Sequence, residues 1–258
     1  MEKIVLCGQV DISISVVSHS QISLIVELLN DLRSQCIDSR FEVILTLNVT
    51  EKLPFELNEF SWPIKVIRNV TPNGFGANHN QAFRLATGKY FCVMNPDIRL
   101  LGDPFPKLIA YLKNPSFGVV APLVLNTDGV QEESARVFPS PVSILRKILG
   151  NRVPDYSIND LPIFPDWVGG MFMVYPMNIF DQLSGFDERY FLYYEDADIC
   201  ARLRLLGYEV VVCPNAKVIH HAQRSSHKSL KYTRWHLRSM IRFFISPVYR
   251  QVHRRPKA

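Results

Sequence analysis

Residues 73–97 read NGFGANHNQAFRLATGKYFCVMNPD, and their order of turn, helix, strand and turn sets the architecture. Asn73 to Asn80 is a Gly/Asn-rich turn that runs into a helix expected over Gln81 to Ala86, closed by Gly88. Tyr90 to Met94 (YFCVM) is a short apolar strand that stops at Asn95-Pro96-Asp97. Upstream, Asp11 to Val17 (DISISVV) is β-branched and apolar, as expected of a strand buried on both faces, and it ends at Ser18-His19-Ser20. Ile22 to Leu32 carries apolar residues at helical spacing, Phe41 to Leu47 (FEVILTL) is a second strand, and Ile64 to Ile67 a third. Strands alternating with helices predict an α/β fold with a mostly parallel sheet flanked by helices. In such sheets ligands sit beyond the carboxyl ends of the strands. Ser18, Asn73 to Asn80 and Asp97 all lie at such ends and outline a nucleotide-type cleft.

Downstream, a helix is expected over residues 103–118 and a strand over Val119 to Val124. Residues 126–165 are proline-rich and aperiodic, with one short helix near Val142 to Leu149. Trp167-Val168-Gly169-Gly170 and the strand Met171 to Tyr175 resume the core, and Met177 to Leu183 reads as helical. The run Tyr193-Tyr194-Glu195-Asp196-Ala197-Asp198 then opens a helix, Ile199 to Leu206, closed by Gly207. Three carboxylates crowd its first turn. Capping and the helix dipole explain one or two of them; the other reading is a carboxylate placed to take a proton from a substrate. A strand from Glu209 to Cys213, then Lys217 to His221, leads into the C-terminal tail.

Charge is divided along the chain. Of the 29 Lys and Arg, eleven follow Glu209, where no acidic residue occurs, so residues 1–209 hold 18 basic groups against all 24 acidic ones. Such a tail predicts an anionic partner. Lys231, Arg234, Arg238 and Arg242 form a helical stripe beside Leu230, Leu237, Met240, Ile241 and Phe244, with Tyr232 and Trp235 between. A solvated cationic face would not need so many large apolar groups. An amphipathic helix lying on an anionic membrane surface does. No nucleic-acid motif accompanies the charge, so no nucleic-acid partner is expected. The composition, 47% hydrophobic and 21% charged, is that of a globular protein, and no apolar run is long enough to span a bilayer. Met1 to Val10 is too short and mixed for a secretion signal. The five cysteines are scattered without paired spacing, which predicts reduced thiols in the cytoplasm and no zinc site.

Asn95-Pro96-Asp97 could be a turn alone, or Asp97 could hold a divalent cation through its oxygens. Gly74 and Gly76 could serve positive φ angles, or the helix after them could bind a phosphate. His220 and His221 could be structural hydrogen-bonders; alternatively His220 ligates a metal or donates to a departing phosphate.

Taken in order, GFGANHN, NPD, WVGGMFMVY, GFDERYFLYYEDADICARL and VIHHAQRSS resemble GT-A-fold glycosyltransferases of family 2, in particular bacterial rhamnosyltransferases of O-antigen and cell-wall assembly. The resemblance spans about residues 10–240. It implies one GT-A domain over residues 1–226 and a basic amphipathic extension over 227–258. It further implies that Asp97, in the place of the metal-binding D-x-D motif, and His220 hold Mg²⁺ or Mn²⁺. Asp196 becomes the catalytic base, with Glu195 as the alternative. Ser18, Asn48, Asn73, Gly74, Gly76, Asn80, Asn95 and Asp97 hold the nucleotide sugar, and Trp167, Gly169, Gly170 and Asp198 line the acceptor side. Two positions depart from the pattern: Leu47-Asn48 stands where relatives often carry a base-reading Asp, and Asn95 takes the first place of D-x-D. The implied reaction moves L-rhamnose from its dTDP-activated form, with inversion, to a polyprenyl-diphosphate-linked sugar such as GlcNAc at the inner face of the cell membrane. The alternatives are a UDP-hexose donor, or a non-catalytic peripheral membrane protein.

Overall fold

The computed structural model describes residues 10–148, 155–157, 159–221 and 230–254. The first half supplies β1 (Ile12–Ser18), α1 (Ile22–Gln35), β2 (Phe41–Leu47), β3 (Ile64–Arg68), α2 (Phe75–Phe83), β4 (Tyr90–Met94), β5 (Ile98–Leu100), α3 (Phe105–Leu112) and β6 (Phe117–Leu125). The second half supplies β7 (Ala135–Arg136), α4 (Pro141–Ile148), β8 (Trp167–Val168), β9 (Phe172–Pro176), α5 (Met177–Gln182), α6 (Glu195–Leu205), β10 (Glu209–His220), α7 (Leu230–Ile245) and α8 (Pro247–Arg254).

Eight strands form one sheet in the order β3-β2-β1-β4-β9-β6-β10-β5, and β7 pairs with β8 apart from it. The pairs β1–β2, β2–β3, β1–β4 and β6–β10 are parallel, whereas β9 runs antiparallel between β4 and β6 and β5 runs antiparallel against β10. Two apolar cores cover the two faces. One joins Ile12, Ile14 and Val16 to α1 and α3; the other joins Phe91, Val93 and Met173 to α5 and α6. Strands covered on both sides are mostly apolar, as in β1, β2 and β6, and the polar residues buried in them find partners inside: Ser13 donates to Glu42 at 2.6 Å and Ser15 meets His79 at 2.8 Å.

Several boundaries differ from expectation. The helix placed at Gln81 begins six residues earlier, at Phe75, so Gly76 to Asn80 are helical rather than a turn. Neither Gly74 nor Gly76 has a positive φ. Their lack of a Cβ serves close packing: at Gly74 it would meet the Phe191 carbonyl oxygen at 2.6 Å, and at Gly76 the Phe186 Cβ at 2.6 Å. The helix expected up to residue 118 stops at Leu112, because Pro115 disfavours helical geometry at Asn114, whose side chain instead accepts the Ser116 N–H at 3.0 Å. The two strand pieces around Pro214 form one strand, β10, with an irregularity between Cys213 and Lys217. Cys36, Cys92, Cys200 and Cys213 are free and buried; Cys7 lies outside the described residues.

The C-terminal extension packs on the body. Phe243 is buried with Tyr190 and Ala197, and Phe138, Tyr194, Phe244 and Tyr249 close around them. The expected boundary at residues 226 and 227 lies outside the described residues, as does the end of the VIHHAQRSS motif. No described helix is long and apolar enough to cross a membrane.

Candidate active site

Parallel β1, β2 and β4 deliver their carboxyl ends to one edge of the sheet, and there the predicted residues collect. At the β1 and β2 ends, the Ser18 carbonyl accepts the Asn48 N–H at 2.8 Å. The buried Asn48 amide then accepts the Asn73 N–H at 2.8 Å and donates to the Asn73 carbonyl at 3.0 Å. Asn69 joins Asn48 to Asn78. Ser18, Asn48 and Asn73 thus form one polar lattice below the turn into α2. The first N–H of α2 is already taken, since Phe75 donates to the Phe191 carbonyl at 2.9 Å.

Asn80 lies elsewhere. Its amide accepts the Phe186 N–H and donates to the Phe186 carbonyl, each at 2.8 Å, and donates to Glu188 at 3.0 Å. Both of its N–H donors tie α2 to the loop before the acids, so it braces that loop.

Asp97, two residues beyond Asn95 at the end of β4, is buried. Its Oδ2 lies 3.3 Å from His220 Nε2, and His220 Nδ1 lies 2.8 Å from Glu132 Oε2. Burial lowers the His220 pKa, but the bonds to Asp97 and Glu132 outweigh it and carry the imidazole up to about 9. Asp97 Oδ1 is buried with no hydrogen-bond partner.

The acids open α6. Its N-cap residue is Tyr194, with a left-handed backbone and no capping side chain, so none of the acids occupies the N-cap position itself. Asp196 Oδ2 accepts the Gly170 N–H at 3.1 Å, and its Oδ1 the Ala197 N–H at 2.9 Å. Burial raises the Asp196 pKa, while those N–H groups and the positive charge of Arg136 restrain the rise. Glu195 is driven well above the carboxylate range by burial and by the Asp196 charge, and its Oε2 finds no partner. Asp198 is committed to Arg202 at 2.8 Å, and Arg202 in turn holds the Gly185 carbonyl at 2.8 Å. Asp198, expected on the acceptor side, thus braces the start of α6 against the loop before it.

Backbone bonds join the two acidic centres. Asn95 donates its N–H to the Met171 carbonyl at 2.9 Å, and the adjacent Gly170 N–H reaches Asp196. Gly169 donates to the Ser134 carbonyl at 2.8 Å, which brings in the segment carrying Glu132 and Arg136. The Arg136 guanidinium lies 5.4 Å from the Trp167 ring centroid, and Trp167 Nε1 donates to the Val137 carbonyl at 2.9 Å. Trp167, Gly169, Gly170, Asp97 and Asp196 therefore share one end of the sheet. Glu132 and Arg136 fall in the proline-rich stretch that sequence reading left without roles. The signal was present, as Gln131 to Arg136 packs two acids and an arginine right after a strand.

Residues 13–163 match the family model described as glycosyl transferase family 2. The chain belongs to glycosyl transferase family 2. Within that family it resembles the rhamnosyltransferase WbbL of Escherichia coli K12, with 30% identity over 89% of this chain and 91% of that protein. It is also 31% identical, over 52% of its length, to the N-acetylglucosaminyl-diphospho-decaprenol L-rhamnosyltransferase of Mycobacterium tuberculosis H37Rv, of which 47% is matched. Among solved structures it is similar to GalNAc-T7 with UDP, GalNAc and Mn²⁺, at TM-score 0.69 and 15% identity, covering 92% of this chain and 48% of that one. It is similar too to the mannosyltransferase PcManGT of Pyrobaculum calidifontis with GDP-Man and Mn²⁺, at TM-score 0.63 and 16% identity, covering 96% and 65%. The chain thus spans about half the length of the mycobacterial relative and of GalNAc-T7. The fold is that of the GT-A glycosyltransferases.

Proposed function

We propose that this glycosyltransferase moves L-rhamnose from dTDP-L-rhamnose, with inversion, to the sugar of a polyprenyl-diphosphate-linked acceptor such as GlcNAc. The observation that carries the mechanism is the short backbone path from Asp97 through Asn95, Met171 and Gly170 to Asp196. Donor and acceptor are supported by the names of the bacterial relatives.

Asp196 is the base. The environments of the two neighbouring acids pull their proton affinities apart, and such a split assigns the roles. Glu195 also accepts backbone N–H groups, but burial, the Asp196 charge and an Oε2 without a partner favour its protonated form; Asp196, held by two N–H groups near Arg136, ionises first. Asp196 takes the proton of the acceptor hydroxyl while that oxygen bonds to the anomeric carbon. The bond from that carbon to the diphosphate oxygen breaks on the opposite face, and the nucleoside diphosphate leaves with the electron pair. Attack opposite the leaving group inverts the anomeric centre. Trp167, Gly169 and Gly170 border the acceptor side, and the Ser18–Asn48–Asn73 lattice borders the donor side.

Asp97 and His220 would hold Mg²⁺ or Mn²⁺. The unpartnered Asp97 Oδ1 is the hard oxygen donor such a cation takes; His220 Nε2 faces the same carboxylate and would ligate by giving up the proton that Asp97 and Glu132 favour on its ring. Among the described residues no three His, Cys, Asp or Glu side chains form a complete metal site, so diphosphate oxygens would supply further ligands. When bound, the cation neutralises charge on the leaving diphosphate. A polyprenyl-linked acceptor places the enzyme at the cytoplasmic face of the cell membrane, against which the basic extension would rest.

The test is a donor panel, dTDP-rhamnose against UDP-hexoses, with a lipid-diphosphate-linked GlcNAc mimic and Mn²⁺, read as released nucleotide. Turnover confined to dTDP-rhamnose is expected; turnover with a UDP-hexose and none with dTDP-rhamnose would replace the donor.

A further inference from the structure

Directly before Glu195, Tyr193 and Tyr194 both adopt left-handed backbones, with φ of 70° and 69°. Such a conformation in non-glycine residues costs on the order of 1–3 kcal/mol each and persists only where the surroundings enforce it. Local bonds to Glu195 and Asp198 hold this segment from one side, and α7 packs on it from the other. Trp235 packs on Phe191 with ring centroids 4.6 Å apart and the rings tilted by 32°, and His236 meets the Tyr193 and Tyr194 rings at 5.2 and 5.4 Å. Ser239 Oγ donates to the Leu192 carbonyl at 2.8 Å, and Phe243 packs on Tyr194 at 5.6 Å. Phe191 is also the residue whose carbonyl holds the start of α2. One face of α7, with Trp235, Ser239 and Phe243 at helical spacing, therefore grips the segment from which the acids emerge.

The opposite face has no partner among the described residues. Leu230, Leu237, Ile241 and Ile245 lie there, exposed by 89%, 51%, 51% and 64%, and at 3.6 residues per turn Arg234 and Arg238 share their side. With no acidic residue after Glu209, this face repels a second copy of itself and complements an anionic bilayer: apolar residues enter the interface while arginines meet headgroup phosphates. We propose that α7 couples membrane docking to catalysis: its outer face seats on an anionic lipid bilayer, and docking fixes its inner face, which holds the Phe191–Tyr194 segment and positions Asp196. Trp235, Ser239 and Phe243 are positioning residues. This rests on the reading of the chain as a transferase for a lipid-linked acceptor, because such an acceptor is presented only at a membrane.

The experiment uses the full chain with phosphatidylglycerol or phosphatidylcholine vesicles, read by flotation and by amide hydrogen exchange over residues 191–196. Flotation is expected with phosphatidylglycerol only, and exchange in that segment slows roughly tenfold on docking. The double variant Arg234→Gln/Arg238→Gln, altered at exposed positions, weakens partition roughly thirtyfold. Ser239→Ala still floats but loses most of the slowing. In the presence of vesicles it also lowers kcat while the KM for nucleotide sugar stays put. No preference for the anionic vesicles overturns the docking, and so does a dimer abolished by Ile241→Asp. Flotation with unchanged exchange overturns the coupling. Flotation and exchange do not depend on sugar transfer, so both intact with no transfer would count against the transferase reading alone.

Discussion

At the residue scale the account depends on two adjacent carboxyls behaving differently. Glu195 is held above its ordinary pKa in the fold, so the folded chain binds a proton there that the unfolded chain releases. The sign follows from linkage: its favourable contribution is full below the unfolded value of about 4.3 and is lost as pH rises towards the folded value. Glu195→Gln removes this dependence, so thermal unfolding from pH 4 to 8 should show the variant gaining on wild type as pH rises; parallel curves would contradict a buried, protonated Glu195. Asp97 is the second test. With Mn²⁺ and dTDP at about a hundred times Kd, wild type should gain about 2.7 kcal/mol of stability. Asp97→Asn, which removes a carboxylate oxygen, should gain little of it in the same thermal-shift measurement, and an equal gain would remove Asp97 from the site.

At the scale of elements, the contact between α2 and the 186–191 segment sets the geometry. Gly74 touches the Phe191 backbone, where even a methyl group cannot fit without moving main chain. Gly74→Ala should cost on the order of 2 kcal/mol, read from urea denaturation, and should reduce transfer because the displaced segment leads to Asp196. Denaturation curves that superimpose on wild type would show that the contact is not tight. This is also where sequence reading reached its limit. Gly-Phe-Gly-Ala-Asn was legible as a helix entry, but a turn rich in Gly and Asn looks the same whether its glycines serve φ or close packing. Only the approach of Phe186 and Phe191, more than a hundred residues away in the chain, separates the two. The strands of β1, β2 and β4 were legible because both faces of the sheet are covered, which favours apolar and β-branched runs even where Ser13, Ser15 and Glu42 interrupt them. Glu132 and Arg136 were not, since β7 pairs with β8 across some thirty residues of aperiodic chain and leaves no period to read.

At the scale of the molecule, β4, β6 and β10 end together, and Gly170, between β8 and β9 at that end, meets the start of α6. Residues from motifs dispersed along the sequence meet at one end of one sheet: His220 lies beside Asp97 at β5, and Gly170 bridges to Asp196. The basic tail, legible as an amphipathic helix, had a second face that sequence could not reveal, because its partner is a loop of unusual backbone rather than a periodic element. The claim on which the rest depends is that this shared end performs proton abstraction through Asp196. The most direct measurement is sugar transfer by purified Asp196→Asn beside calorimetric binding of the nucleotide sugar. The account predicts donor binding within twofold of wild type and a kcat lower by about 10²–10⁴; undiminished turnover in that variant would contradict it.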